Sequence, residues 1–169
     1  MISLENIGVF LGFFFGMEAV AWSAHKFLMH GPLWMLHADH HLKGEEGFFE
    51  RNDSFFLIFA TPGIALLYMG VTQGFHQWYF WGGLGITVYG FGYFIIHDIF
   101  IHQRFKWLRN ANSVYFRAIR RAHKIHHKRL TKEDGECFGM LWVPMKYFRE
   151  AARSMQNEPV IIRDTLSNK

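Results

Sequence analysis

Ten of the eleven histidines in this 169-residue chain fall into four clusters. His25 and His30 stand in "HKFLMH", and His37, His40 and His41 in "HADHH". His97 and His102 stand in "HDIFIH", and His123, His126 and His127 in "HKIHH". As spacings these read HxxxxH, HxxHH, HxxxxH and HxxHH, so one pair of motifs occurs twice. On a helix, residues i, i+3 and i+4 share a face, and each HxxHH therefore aims three imidazoles at one point. An i, i+5 pair converges less well. Its members sit roughly 140° apart on an ideal helix of about 3.6 residues per turn, so one of them calls for a frayed helix end or serves a second metal. Ten imidazoles exceed what one ion accepts, whereas two ions with open positions fit both the count and the duplication. Imidazole suits Fe, Zn, Cu and Ni alike, so the spacing leaves the metal open. The eleventh histidine, His76, reads as an interfacial residue away from this chemistry.

Neutral imidazoles leave the charge of a metal uncompensated, and nearby acids or amides can offset it or orient the rings. Asp98, beside His97, is the first candidate for that role, followed by Asp39 and Asp53, while Asn52 is a candidate to contact a metal through water. Asp39 and Asp53 read equally well as solvated charges or helix caps. Glu18 lies inside an apolar stretch, where an ionisable residue is costly unless it faces other protein. It precedes His25 by seven residues, about two helical turns. Three readings stand for it: a partner of a ligand imidazole, a residue at a substrate entrance, or a protonated acid near the end of a span.

The elements that must carry these residues are apolar helices. Half of the chain is hydrophobic and 18% is aromatic, rich for a domain of this size. A bilayer core of about 30 Å needs roughly 20 apolar residues in a helix, and three stretches qualify: 4–24, 54–73 and 77–96. The second and third carry no charge, and the "GFH" between them predicts a tight hairpin. The segment 137–148, "CFGMLWVPMKYF", is a further apolar stretch that can dip into the bilayer, although Pro144 opposes a plain fourth span. The fold class that follows is all-α: an integral membrane bundle of three to four spans with a cytoplasmic, histidine-rich helical cap. Residues 1–169 form a single domain, the last twenty or so read as a flexible tail, and homo-oligomers are compatible with it.

All 18 Lys and Arg lie in 25–53 or after 97, on one side of a three-span topology. The positive-inside rule then predicts the N-terminus outside and the C-terminus inside. The same assignment, made without the histidines, brings all ten clustered histidines to the cytoplasmic face. The N-terminus lacks the basic start of a secretory signal and is expected to be retained. Cys137 is the lone cysteine, so no internal disulfide is expected. Gly8, Gly12 and Gly16 recur every four residues on the first span, as in ridges that let helices approach closely. Gly82, Gly83, Gly85, Gly90 and Gly92, with the aromatic stock of the spans, read as packing or as the lining of an apolar tunnel. The basic run 117–132 reads as a contact for anionic headgroups, or as a docking face for an acidic protein through Arg120, Arg121, Lys124, Lys128 and Arg129, and not as a nucleic-acid site.

With these motifs in order, the chain resembles the bacterial non-haem β-carotene 3-hydroxylases of the fatty acid hydroxylase superfamily. The resemblance rests on the four histidine motifs and on "FERND" (49–53), "HDIFIHQR" (97–104), "RAHKIHH" (121–127) and "FGMLWVP" (138–144), and it covers residues 16 to about 148. It implies two iron ions, O2 as co-substrate, and hydroxylation of β-ionone rings at carbon 3, from β-carotene to β-cryptoxanthin to zeaxanthin. It also implies a bacterial inner membrane and an external donor, such as ferredoxin with an NADPH-dependent reductase. The chain has no GxGxxG after a strand and no CxxCH, so no motif offers to hold a nicotinamide, flavin or haem of its own.

Three rivals are separable. A metal transporter would place ligands within its spans or on both faces, whereas these cluster at one. A membrane zinc hydrolase would need a general base, and no HExxH is present. A fatty acyl or sterol hydroxylase or desaturase of the same superfamily shares the ligand chemistry, and only the flanking motifs separate it.

Overall fold

The computed structural model describes residues 2–42, 48–133 and 135–157. Among them there are six α-helices and no strand: α1 Leu4–Ala24, α2 Trp34–His41, α3 Ser54–Gln73, α4 Trp78–Phe94, α5 Val114–His126 and α6 Met145–Gln156. Of the stretch read as a flexible tail, 158–169 lie outside the described residues, and the part before them ends α6.

Three helical segments are long and apolar enough to cross a membrane: Leu4–Met29, Arg51–Gln73 and Trp78–Ile101. The expected 54–73 coincides with α3. The other two run further than expected, because α1 continues as a π-helix over His25–Met29 and α4 as a π-helix over Ile95–Ile101. Both extensions carry an HxxxxH motif. Large apolar side chains such as Leu57, Ile64, Tyr68 and Val71 of α3 face outward, as suits a surface solvated by lipid.

Helix α4 lies between α1 and α3, and glycines on two of its faces allow the close approach. A Cβ at Gly85 would stand 2.6 Å from the Phe10 carbonyl oxygen of α1, and one at Gly83 2.7 Å from the Leu67 nitrogen of α3. The expected ridge of Gly8, Gly12 and Gly16 does not pack against another of the described residues: a Cβ at any of them meets nothing within 4 Å. The reason is the choice of face. Helix α1 meets α4 through Phe10, Phe13 and Phe14, which turns the glycine ridge outward. The hairpin between α3 and α4 turns at Gly74, whose φ of +124° favours glycine.

The cap is built differently. Helices α5 and α6 are amphipathic and pack through a small core of Ala118, Ile119, Ala122, Val143, Tyr147 and Ala151. Between them 137–143 forms no helix, so no fourth span exists among the described residues. Instead the segment follows α1, and the backbone N–H groups of Met140, Leu141 and Trp142 donate to the Glu18 carboxylate at 3.0–3.1 Å. Glu18 belongs to the first candidate span.

Candidate metal centre

The π-helical turns resolve the difficulty of the i, i+5 pairs. The His30 N–H donates to the His25 carbonyl at 3.0 Å and the His102 N–H to the His97 carbonyl at 2.9 Å, the i→i+5 bonds of a π turn. The wider turn sets both imidazoles of each pair on one side, with ring centroids 5.3 Å apart for His25 and His30 and 4.5 Å for His97 and His102. No frayed end is needed.

Helices α2 and α5 bring the HxxHH segments against these turns, and the histidines assemble into two neighbouring groups. His25, His30, His37, His41 and His126 form the first; His40, His97, His102 and His123 form the second. Within each group the candidate ligand atoms all lie within 4.8 Å of one another. His127 adjoins the second group, its ring 4.4 Å from His123 and 4.7 Å from His40. The motifs interleave. His37 and His41 join the HxxxxH of their own half, as does His123, and the middle histidine of each HxxHH, His40 or His126, crosses to the other group. His76 stays at the far end of α3 and α4, bonded to Gln77 at 3.1 Å.

The outer ring nitrogens fix the tautomers. Backbone carbonyls accept from Nδ1 of His25 (Phe138, 3.0 Å), His30 (Lys132, 3.3 Å), His41 (Arg129, 2.9 Å) and His126 (Glu136, 2.9 Å). A carbonyl only accepts, so these Nδ1 atoms carry the proton and each Nε2 presents a lone pair. Yet Nε2 of His37 lies 3.1 Å from that of His25 and 3.1 Å from that of His41, and Nε2 of His30 lies 3.3 Å from that of His126. In the second group the Nε2 pairs His40–His97 and His102–His123 stand at 3.0 and 2.9 Å. Where both rings of a pair carry their proton on Nδ1, as His30 and His126 do, the facing lone pairs repel unless a cation stands among them.

Extra protons are not that cation. Burial pushes His37 down to about 3, His41 to about 4 and His126 to about 2, from an ordinary 6.5. Burial and neighbouring imidazoles likewise hold His40, His102 and His123 below the usual range. Neutral, convergent, buried nitrogens are the donor set of a transition-metal site, and the residues present fit two such ions.

The second group leans on carboxylates. His40 Nδ1 donates to Glu50 at 2.7 Å and His97 Nδ1 to Asp98 at 3.1 Å. Arg104 ties these acids together, 3.2 Å from Glu50, 3.2 Å from Asp98 and 2.8 Å from Asp53. Neither Glu50 nor Arg104 stood out in the sequence. Glu50 lies ten residues past His40, at no helical spacing, and only its place in "FERND" marked it. Asn52 meets a histidine directly: its side-chain oxygen accepts from His37 Nδ1 at 2.7 Å.

Three expected partners stand elsewhere. Asp39 accepts from the Arg51 N–H at 2.6 Å, because on α2 it points away from the face that carries His37, His40 and His41. Asp53 accepts from the Glu50 N–H at 3.0 Å at the turn before α3, and so acts as a cap and an Arg104 partner. Glu18 touches no imidazole among its described contacts. Its carboxylate is taken up by the three N–H groups of 140–142 and by the Tyr89 hydroxyl at 2.7 Å. Gly139 makes the approach possible, since a Cβ there would lie 3.0 Å from Glu18 Oε1 and 2.6 Å from the Trp142 carbonyl oxygen. Through this loop Glu18 positions the Phe138 carbonyl that holds His25.

Beside the histidines lies a cavity of about 370 Å³ lined mainly by α1, α3, α4 and their π-helical extensions. His25, His37 and His97 form part of its wall, and most of the rest is apolar, including Met17, Phe55, Phe59 and Ile86. A molecule lodged there would be greasy, with one end against the metal-binding nitrogens.

Known proteins are similar to this chain in sequence. The fatty acid hydroxylase family model matches residues 10–147. A β-carotene hydroxylase of Pantoea ananas is 39% identical over 130 residues, covering 76% of this chain and 72% of that protein. One of Paracoccus sp. (strain PC1) is 37% identical over 131 residues, covering 76% and 78%. The chloroplastic β-carotene 3-hydroxylase 2 of Arabidopsis thaliana is 37% identical over 171 residues, covering 98% of this chain and 55% of its own length, so the chain spans about half of that plant relative. No solved structure matches the chain.

Proposed function

The chain belongs to the fatty acid hydroxylase family, and from that membership we propose that it hydroxylates the β-ionone rings of carotenoids at carbon 3, converting β-carotene to β-cryptoxanthin and then zeaxanthin. The observation that carries the reading is the meeting of two convergent histidine groups with an apolar cavity at the end of the spans. The reaction is R–H + O2 + 2 e⁻ + 2 H⁺ → R–OH + H2O. Two iron ions, when bound by the ten histidines, supply the activation of O2 that side-chain acids and bases cannot.

The chain's own residues do the remaining work. The carbonyls of Phe138, Lys132, Arg129 and Glu136, with Asn52, Glu50 and Asp98, hold the imidazoles in one tautomer and one orientation. Phe55, Phe59 and Ile86 keep water from the reacting carbon and hold the ring against His25, His37 and His97. Electrons come from an external donor of the ferredoxin type, served by an NADPH-dependent reductase. The centre lies at the cytoplasmic end of the spans in a bacterial inner membrane, with the N-terminus outside.

Expression in a β-carotene-producing bacterium tests this. Hydroxylated carotenoids should accumulate. Unchanged pigment, with the protein present, iron-loaded and supplied with a working donor, would shift the reading to a fatty acyl or sterol substrate.

A further inference from the structure

The walls of the cavity differ in one respect. Its residues from α1 and the π-helix that continues it are buried or half-buried, Ala21 and Met29 among them. The exposed lining residues all come from α3 and α4: Phe56 (58% exposed), Ile64 (63%), Phe91 (65%) and Thr87. One space therefore touches His37 and His97, which are 2% and 4% exposed, and also side chains on the lipid face of the bundle.

Packing along the α3–α4 pair explains the opening. Far from the histidines the helices are in close contact: a Cβ at Gly70 would meet the Phe80 Cβ at 2.4 Å, and one at Gly63 would meet Ile86 at 2.9 Å. Beyond Gly63, toward the histidines, the two helices line the cavity, through Phe56, Phe59 and Ala60 on α3 and Gly90, Phe91 and Phe94 on α4. Pro62 stands at that transition, where a helix loses a backbone hydrogen bond and tends to bend. On the facing side, a Cβ at Gly90 meets nothing within 4 Å although Gly90 lines the cavity.

We infer that the substrate enters sideways from the bilayer, through a portal between α3 and α4 whose throat is Gly90, and that the cavity takes one ring end at a time. The inference rests on the carotenoid reading above. From Ile86 to His97 the cavity runs about 16 Å along α4, at about 1.5 Å per residue. Its 370 Å³ is at the small end of ligand pockets. A carotenoid with a ring at each end of a long polyene exceeds that space. One ring reaches the histidines while the polyene passes out between Phe56 and Phe91 into lipid, the phase in which such a molecule is dissolved. After the first hydroxylation the product must withdraw and present its other end.

Two glycines of α4 make a matched test. Gly90 and Gly92 both have open space at the Cβ position, so a larger side chain can be tolerated at either, but only Gly90 lines the cavity. The iron-loaded protein is reconstituted in phospholipid vesicles containing β-carotene, with donor and reductase, and kcat/KM and iron content are measured. Gly90→Val should lower kcat/KM at least about tenfold, the effect of misfitting an apolar pocket by a methyl group or more, with iron content unchanged. Gly92→Val should stay within about twofold of the parent, as for a site outside the machinery. Gly90→Val with parental kcat/KM, or equal losses in both variants, would overturn the portal while the carotenoid reading stands. A parent protein that hydroxylates no carotenoid here would overturn both.

Discussion

His40 and His97 hand their outer protons to carboxylates, whereas His25, His30, His41 and His126 hand theirs to backbone carbonyls. The two candidate ion positions are therefore electrostatically unequal, because Glu50 and Asp98 would make their imidazoles stronger donors and offset part of the charge of a bound metal. Arg104 limits that offset by pairing with both acids, and also keeps the carboxylates pointed at the rings. Glu50→Gln keeps the shape and removes the charge. It should weaken the second ion by about 10- to 100-fold, the usual cost of losing such a supporting group, and leave the first ion in place. Metal content measured during chelator titration reads this directly: the variant should pass through a one-ion state at lower chelator than the parent, and simultaneous loss of both ions would contradict the asymmetry. At this scale the sequence disclosed the ligand candidates, because ten histidines in repeated spacings have few other uses. It did not disclose their supports. Four of those are main-chain carbonyls, which carry no residue signature, and Glu50 acts across a bend that sequence spacing does not encode.

Among the elements, the π turns and the loop 137–143 carry the precision of the site. An i, i+5 spacing looks unfavourable only against an α-helix, and the residues His25–Met29 and Ile95–Ile101 adopt the wider helix in which it converges. Apolar length made α3 legible to the residue, while the π extensions lay beyond any hydropathy signal. The glycine ridge of α1 shows the opposite failure: spacing identified a surface fit for close packing, but none of the described residues packs against it. Glu18 was visible as an anomaly in an apolar span, and its use became clear only when the loop placed three N–H groups around its carboxylate. Glu18→Gln places an amide among those donors and should loosen the loop, since hydrogen bonds to a charged group contribute about 1.5–3 kcal/mol each. Hydrogen exchange at Met140, Leu141 and Trp142 should accelerate in the variant with α5 amides unchanged. Unaltered exchange at those three residues would remove Glu18 from the role of clamp.

For the whole molecule, three spans and an amphipathic cap bring two halves of one sequence into a shared centre, with an apolar cavity between the centre and the lipid. The uneven placement of Lys and Arg was enough to put every clustered histidine on one side, and the folded chain does gather them at one end of the spans. What the sequence could not show is the exchange of His40 and His126 between the groups, because nothing in an HxxHH motif says which of its imidazoles faces which ion. That exchange makes each candidate ion site draw on both halves of the chain. The most direct measurement is anomalous diffraction at the iron edge from crystals of the iron-loaded protein. It should show two peaks, one among His25, His30, His37, His41 and His126 and the other among His40, His97, His102 and His123. A single peak, or two peaks each held only by the histidines of one half, would contradict the account.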